Sequence, residues 1–181
     1  VNQHNYLAHN NGKYWIMWSD GPGVEDQVGQ RVKFATSPDG LVWCKAKFLT
    51  PVPPNSGTNS PHYGTRSDQG FRWIARGFWQ RDGKLLALAS LDEADDFFGA
   101  SLQLQAFQLN PLDHKWQSLG VIADNTINNF PPKKIKNGNW MMSRRTHDYK
   151  KTGVHFLVGG INKIDQWNSF PVLGSSSEIA A

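Results

Sequence analysis

Three short turn signals of one kind, Asn11-Gly12-Lys13, Asp82-Gly83-Lys84 and Asn137-Gly138-Asn139, divide the chain into three similar units. Asn-Gly or Asp-Gly between strand-forming runs marks a two-residue hairpin, because both central residues must accept positive φ. Each signal is followed by a β-rich run: Tyr14 to Trp18, Leu85 to Ser90 and Trp140 to Ser143. A polar loop and a further strand come next, at Arg31 to Thr36, Ser101 to Leu109 and Val154 to Gly159. A second tight turn then leads to a tryptophan. Trp43, Trp116 and Trp167 lie 31, 33 and 29 residues beyond their turn glycines. This spacing predicts a repeated unit of strand, tight turn, strand, polar loop, strand, tight turn, strand. Four antiparallel strands repeated radially make the blades of a β-propeller. The chain is therefore expected to be all-β, a single domain of three four-stranded antiparallel blades over about 6–49, 71–122 and 130–173. No segment sustains a 3.6-residue apolar period, and a single helical turn is the most expected, in a loop such as Leu91 to Phe98.

Propellers close with about four to eight blades, so three blades are expected to be half of a six-bladed ring. The other half would come from further blades on a longer chain, or from a second copy about a twofold axis. The tail from Gly174 to Ala181 reads as the connection to a missing blade, and the abrupt start at Val1 as that of a mature or truncated form.

Composition narrows the classes of function. No apolar run approaches the roughly 20 residues of a membrane-spanning helix, so no membrane partner is expected. The polar opening Val1-Asn2-Gln3-His4 reads as no leader, and a leader on a longer chain would make the protein secreted or periplasmic. The single cysteine, Cys44, excludes an intrachain disulfide or a cysteine-based metal cluster, and beside Trp43 it is expected to be a buried, inert thiol. No metal-ligand spacing or cofactor motif stands out. The net charge of +4 has its densest cluster at Lys133, Lys134 and Lys136, too short a stripe for nucleic acid. An anionic small ligand suits it better.

The topology sorts the loops by face. In such a blade the turns joining strands one to two and three to four lie on one face, and those here are all tight. Every long polar segment falls on the other: 19–30, 50–70, 91–100, 120–129 and 144–153. Function concentrates in loops held by a rigid scaffold, which points to this second face near the axis. Its catalytic candidates are His4, Asp20 and Asp26, and its binding candidates are Asn5, Arg76, Asn129, Lys133, Arg144, Arg145 and His147. Arg76, inside an apolar innermost strand, needs a carboxylate partner, a ligand or a wet channel. Arg144 and Arg145 adjoin, so strand alternation sends them to opposite sides and at most one to the axis. The acidic run Asp92, Glu93, Asp95 and Asp96 reads as a solvated turn.

Ser37-Pro38-Asp39-Gly40-Leu41-Val42-Trp43 resembles the Asp-box, S-x-D-x-G-x-T-W, of sialidases and other BNR-repeat propellers. It has one residue fewer between Asp and Gly, and Val42 stands where Thr or Ser is usual. The stretch from His4 to Leu173, with Trp18 to Gly23 and Asn128 to Lys134, is also similar to sialidase-like bacterial proteins. The resemblance implies a six-bladed propeller in which the box folds the turn between strands three and four, away from the catalytic face. It also implies a glycoside hydrolase in which arginines hold the carboxylate of an anionic sugar, an aspartate serves as acid–base, and a glutamate assists a tyrosine nucleophile. Arg76 with Arg144 or Arg145 would fill the first role and Asp20 or Asp26 the second, while no local motif assigns the tyrosine. Two other readings stay open. One is a non-catalytic glycan-binding or scaffold propeller. The other is a uronic-acid lyase, using His4 or His147 as base and Tyr63 or Tyr149 as its partner.

Overall fold

The computed structural model describes residues 2–95, 97–110 and 112–173, and the tail 174–181 lies outside them. Three four-stranded antiparallel sheets follow one another in chain order. Blade one is β1 (Asn2–Asn10), β2 (Lys13–Asp20), β3 (Arg31–Ser37) and β4 (Lys47–Phe48). Blade two is β5 (Ser67–Arg81), β6 (Lys84–Ala94), β7 (Gln103–Leu109) and β8 (Trp116–Asp124). Blade three is β9 (Lys133–Lys134), β10 (Trp140–Arg144), β11 (His155–Gly159) and β12 (Trp167–Pro171). In each sheet the strands lie side by side in sequence order, as in propeller blades.

The register separates the two faces. Asn10 pairs with Lys13 and Arg81 with Lys84 at the tight turns, while Asp20 pairs with Asn2 and Asp92 with Arg72 toward the long loops. Asn11 and Gly12, and Asp82 and Gly83, all have positive φ, as a two-residue hairpin requires. The third turn differs. Only Gly138 has positive φ, and the loop spans 135–139, closed by Ile135 N donating to Asn139 O at 2.9 Å.

The core lies between blades, and blade two supplies both sides of it. Leu85, Ala87 and Ala89 pack with Trp15, Met17 and Phe34 of blade one, while Leu86 and Leu88 pack with Met142 and Leu157 of blade three. A strand covered on both faces reads as a continuous apolar run, which is why β6 begins Leu-Leu-Ala-Leu-Ala after Lys84. Aromatic residues fill both seams, with Trp15 edge-on to Trp116 at 6.0 Å and Trp79 edge-on to Trp140 at 5.4 Å. The far faces of blades one and three carry no neighbour among the described residues. Leu7 and Phe48 are exposed on the first and Phe170 on the second.

A bulge in β5 switches which seam its side chains enter. Ala75 pairs with Ala89 and Gly77 with Leu88, so Arg76 is the unpaired extra residue. Before it Trp73 and Ala75 face blade one; after it Phe78 faces blade one and Trp79 faces blade three. Gly77 closes the bulge at φ +98°, where the first strands of the blades converge. A Cβ there would come within 2.9 Å of Pro131 Cδ and 3.1 Å of Tyr6 Cδ1. Gly77→Ala is expected to destabilise the fold by about 1–3 kcal/mol, through strained φ and overpacking together. A urea midpoint equal to the parent's would show that this backbone relaxes freely.

Three local readings are corrected. β6 continues to Ala94, so Leu91 to Ala94 is strand, and the helical turn is α1 (Tyr149–Thr152). Cys44 is exposed and lies outside any strand, because β4 is only two residues long and the segment before it is irregular. Asp92 is fully buried in β6, where the acidic run reads as a solvated turn; Asp96 lies outside the described residues. The Asp39 turn closes as a local hydrogen-bond knot. Leu41 N and Val42 N donate to Asp39 Oδ1 at 2.8 and 3.0 Å, and Ser37 Oγ donates to the same oxygen at 2.9 Å. These N–H groups, with Ser37, hold the carboxyl below its ordinary range.

Candidate functional site

β5 projects Arg72 and Arg76 from near the axis. Four residues apart on one strand, they share its face, the one opposite Trp73 and Ala75. Arg72 is almost wholly buried and stands directly across the ladder from Asp92. Its Nη2 reaches Asp92 Oδ2 at 3.3 Å, and its Nη1 lies 2.8 Å from Asp26 Oδ1, off the line of the N–H bond. One guanidinium thus ties a loop of blade one to the second strand of blade two. Gly99 N also donates to Asp92, at 3.1 Å. Burial pushes the Asp92 carboxyl up to about 7 against the pull of Arg72, and it also raises Asp26.

Arg76, turned out of the ladder by the bulge, has different partners. Nε donates to Ser90 Oγ at 2.9 Å and Nη1 to Asn128 O at 3.4 Å, while Nη2 has no partner among the described residues. Among the described residues it forms no ion pair. Burial lowers its pKa to about 10, so at neutral pH it is still a cation. Asn128, also fully buried, donates from Nδ2 to Phe130 O at 3.1 Å and leaves its Oδ1 unpartnered. The Phe98 ring covers both arginines, with its centroid 5.6 Å from the Arg72 guanidinium carbon and 5.5 Å from that of Arg76.

The rim is assembled from three loops. His4 sits at the β1 bulge with φ +53°, beside exposed Asn5, and its Nε2 is 3.5 Å from Glu25 Oε1. Burial, with the Arg76 and Arg72 charges, lowers the His4 pKa despite Glu25, so its ring is neutral at pH 7 and able to accept a proton. Opposite, Arg145 Nη2 donates to Asn129 Oδ1 at 3.5 Å, and its guanidinium lies 4.8 Å from the Tyr149 ring centroid. Arg72 and Arg76 are buried, whereas His4, Asn5, Glu25 and Arg145 around them are partly or fully exposed. Such a site can hold an anionic group on Arg76 and Arg145 and set a carboxyl, Asp26, and an imidazole, His4, around it.

The other candidates are placed elsewhere. Asp20 pairs with Lys33 at 2.8 Å on the far face of blade one. Arg144 points the opposite way from Arg145, toward Thr126 Oγ1 at 3.3 Å, in a cleft between blades two and three. His147 is held by Asn125, whose Oδ1 accepts from its backbone N at 2.7 Å and lies 3.0 Å from its Nδ1. Lys133 is exposed in β9, on a groove of about 660 Å³ along the first strands with Tyr6, Pro131 and Trp140. Sequence reasoning passed over Arg72, Asn128 and Phe98. A second arginine at the same strand parity as Arg76 is the signal that finds Arg72, whereas nothing local marks Asn128 or Phe98.

No protein-family model and no curated protein matches the sequence. Solved structures do match in fold. A family 117 glycoside hydrolase of the marine bacterium Zobellia galactanivorans, Zg3597, is 14% identical at a TM-score of 0.61, over 94% of this chain and 55% of its own. A xylan β-1,4-xylosidase from Bacillus halodurans and Trypanosoma rangeli sialidase in complex with sialic acid are each 10% identical at a TM-score of 0.58. They are matched over 98% and 93% of this chain, and over 32% and 30% of theirs. The chain thus spans about half of the first and about a third of the others. At these identities the likeness is one of fold, shared with propeller glycoside hydrolases.

Proposed function

We propose that the loop face around Arg76 is the substrate site of a sialidase-like glycoside hydrolase acting on an anionic glycan. The observation that carries the reading is the buried Arg76 guanidinium, which has one nitrogen unpartnered and no carboxylate paired to it among the described residues. Leaving such a group unsatisfied is costly, and a bidentate anion satisfies it. Arg145 supplies a second cation at the rim, Asn5 and Asn129 suit sugar hydroxyls, and Phe98 and Tyr149 offer ring faces. Asp26 fits the acid–base role, because burial holds its proton to higher pH than an ordinary aspartate. His4, in contact with the adjoining Glu25, is a neutral base. The rest of the ring around this site comes from further blades on a longer chain, or from a second copy packing on the bare faces of blades one and three.

One observation favours a non-catalytic glycan-binding propeller instead: Asp26 and Asp92 are both tied to Arg72 and so serve the fold. Turnover separates the two readings. Arylglycosides of acidic sugars should be cleaved by the parent, and Asp26→Asn should lose turnover while retaining binding. Binding without cleavage by the parent selects the binding module, and an unsaturated, ultraviolet-absorbing product selects a lyase. Arg76→Ala is expected to weaken binding of a sugar carboxylate by about 1.5–3 kcal/mol. Unchanged affinity in the folded variant, by calorimetry, would remove Arg76 from the site.

A further inference from the structure

On the opposite, tight-turn face, blades one and two enclose a cleft of about 430 Å³ that the sugar site does not use. It exists because β4 is short. Beyond Phe34 the outer edge of β3 has only an irregular neighbour, joined by Cys44 N donating to Thr36 O at 2.9 Å. The floor is aromatic. Trp15 and Phe34, each 7% exposed, lie with ring centroids 6.1 Å apart and planes 18° from parallel. Lys13, Lys45 and Lys47 line the cleft, and no aspartate or glutamate does among the described residues. None of the three ammonium groups has an ion pair or hydrogen bond among the described residues, whereas Lys33 and Lys151 are paired to aspartates.

An apolar planar floor with cations at its edge and no anion to neutralise them is complementary to one kind of ligand. We infer that this cleft binds small planar anions with an aromatic body, such as aryl carboxylates and aryl sulfonates, independently of the Arg76 site. The ring lies against Trp15 and Phe34, and the acid group meets Lys13 and Lys45.

Cys44 lines the cleft, is exposed, and is the only cysteine in the chain, so it reports occupancy. Thr36 N and Oγ1 approach its Sγ at 3.2 and 3.4 Å. Burial raises the thiol, but these hydrogen bonds and the Lys47 charge more than reverse that and hold it below its ordinary value. The test compares two aromatic disulfides, anionic 5,5′-dithiobis(2-nitrobenzoate) and neutral 4,4′-dithiodipyridine. In either case the Cys44 thiolate attacks one reagent sulfur, the reagent S–S bond breaks, a mixed disulfide forms and one aryl thiolate leaves.

The anionic-to-neutral rate ratio is expected to exceed that of a small neutral thiol, N-acetylcysteine amide, by about tenfold, as a modest prior binding step would give. It should saturate with reagent and fall with salt. In Lys13→Gln/Lys45→Gln it should drop to the small thiol's value while the neutral reagent's rate is unchanged. Naphthalene-2-sulfonate should protect Cys44 from the neutral reagent in the parent and in Arg76→Ala, but not in the double lysine variant. A ratio equal to the small thiol's, a ratio that survives loss of both lysines, or absence of protection overturns the site.

Discussion

Arg72→Met is expected to cost the fold about 3–5 kcal/mol, the range found when one member of a buried ion pair is removed. The variant leaves Asp92 fully buried and takes from Asp26 its closest cation. The loss should depend on pH, with a definite sign. In the folded parent the Asp92 carboxyl holds its proton to about 7, whereas in the unfolded chain it releases it near the ordinary 3.8. Between those values the folded state binds more protons, so this group's contribution to stability falls as pH rises. Without Arg72 the carboxyl rises further, and the decline extends to higher pH. Urea unfolding should therefore show a larger deficit at pH 8 than at pH 5. Arg72→Met/Asp92→Leu should recover much of it, since a buried pair replaced by apolar side chains is often neutral. A deficit equal at both pH values would mean that Asp92 is not the group left stranded.

The isolated chain is expected to be a dimer. Blade two buries both its faces against neighbours, while blades one and three each bury one. On the far face of blade one, Leu7 is 65% and Phe48 is 48% exposed; on that of blade three, Phe170 is 54% exposed. These side chains alternate along their strands with residues that enter the seams, such as Ala8 beside Leu7. Exposed apolar faces of this kind mark interaction surfaces. A twofold axis would bring blade one of each copy onto blade three of the other and bury both faces at once. Leu7→Glu and Phe170→Glu each place a charge in that seam, where an unpaired carboxylate is expensive. Light scattering across dilution should show a dimer for the parent and a monomer for the double variant. A parent that stays monomeric, or a dimer that survives both charges, would defeat the assembly.

The blades were legible because their signals are local. Asn11-Gly12 and Asp82-Gly83 adopt the positive φ that their residue types allow, and Ser37, Asp39 and Gly40 close a turn from side chains within three residues. Strand alternation also separated Arg144 from Arg145, since adjacent residues must point apart. Misreadings arose where a neighbour distant in sequence decided the outcome. Asp92 looks solvated beside Glu93 and Asp95, and it is buried because Arg72, twenty residues earlier, stands across the ladder. Cys44 follows a tryptophan as core thiols often do, yet β4 is too short to cover it.

The sequence by itself determined the repeat, the class and order of the strands, and which face receives the long loops, because these depend on backbone dihedrals and on a two-residue period. Only the tertiary structure decided which charges meet. The bulge that turns Arg76 out of its ladder, the Asp26–Arg72–Asp92 bridge, and the withdrawal of Asp20 to Lys33 all join residues from separate strands or loops. Electrostatic partnership depends on distance and burial in space, and no spacing along one strand encodes either.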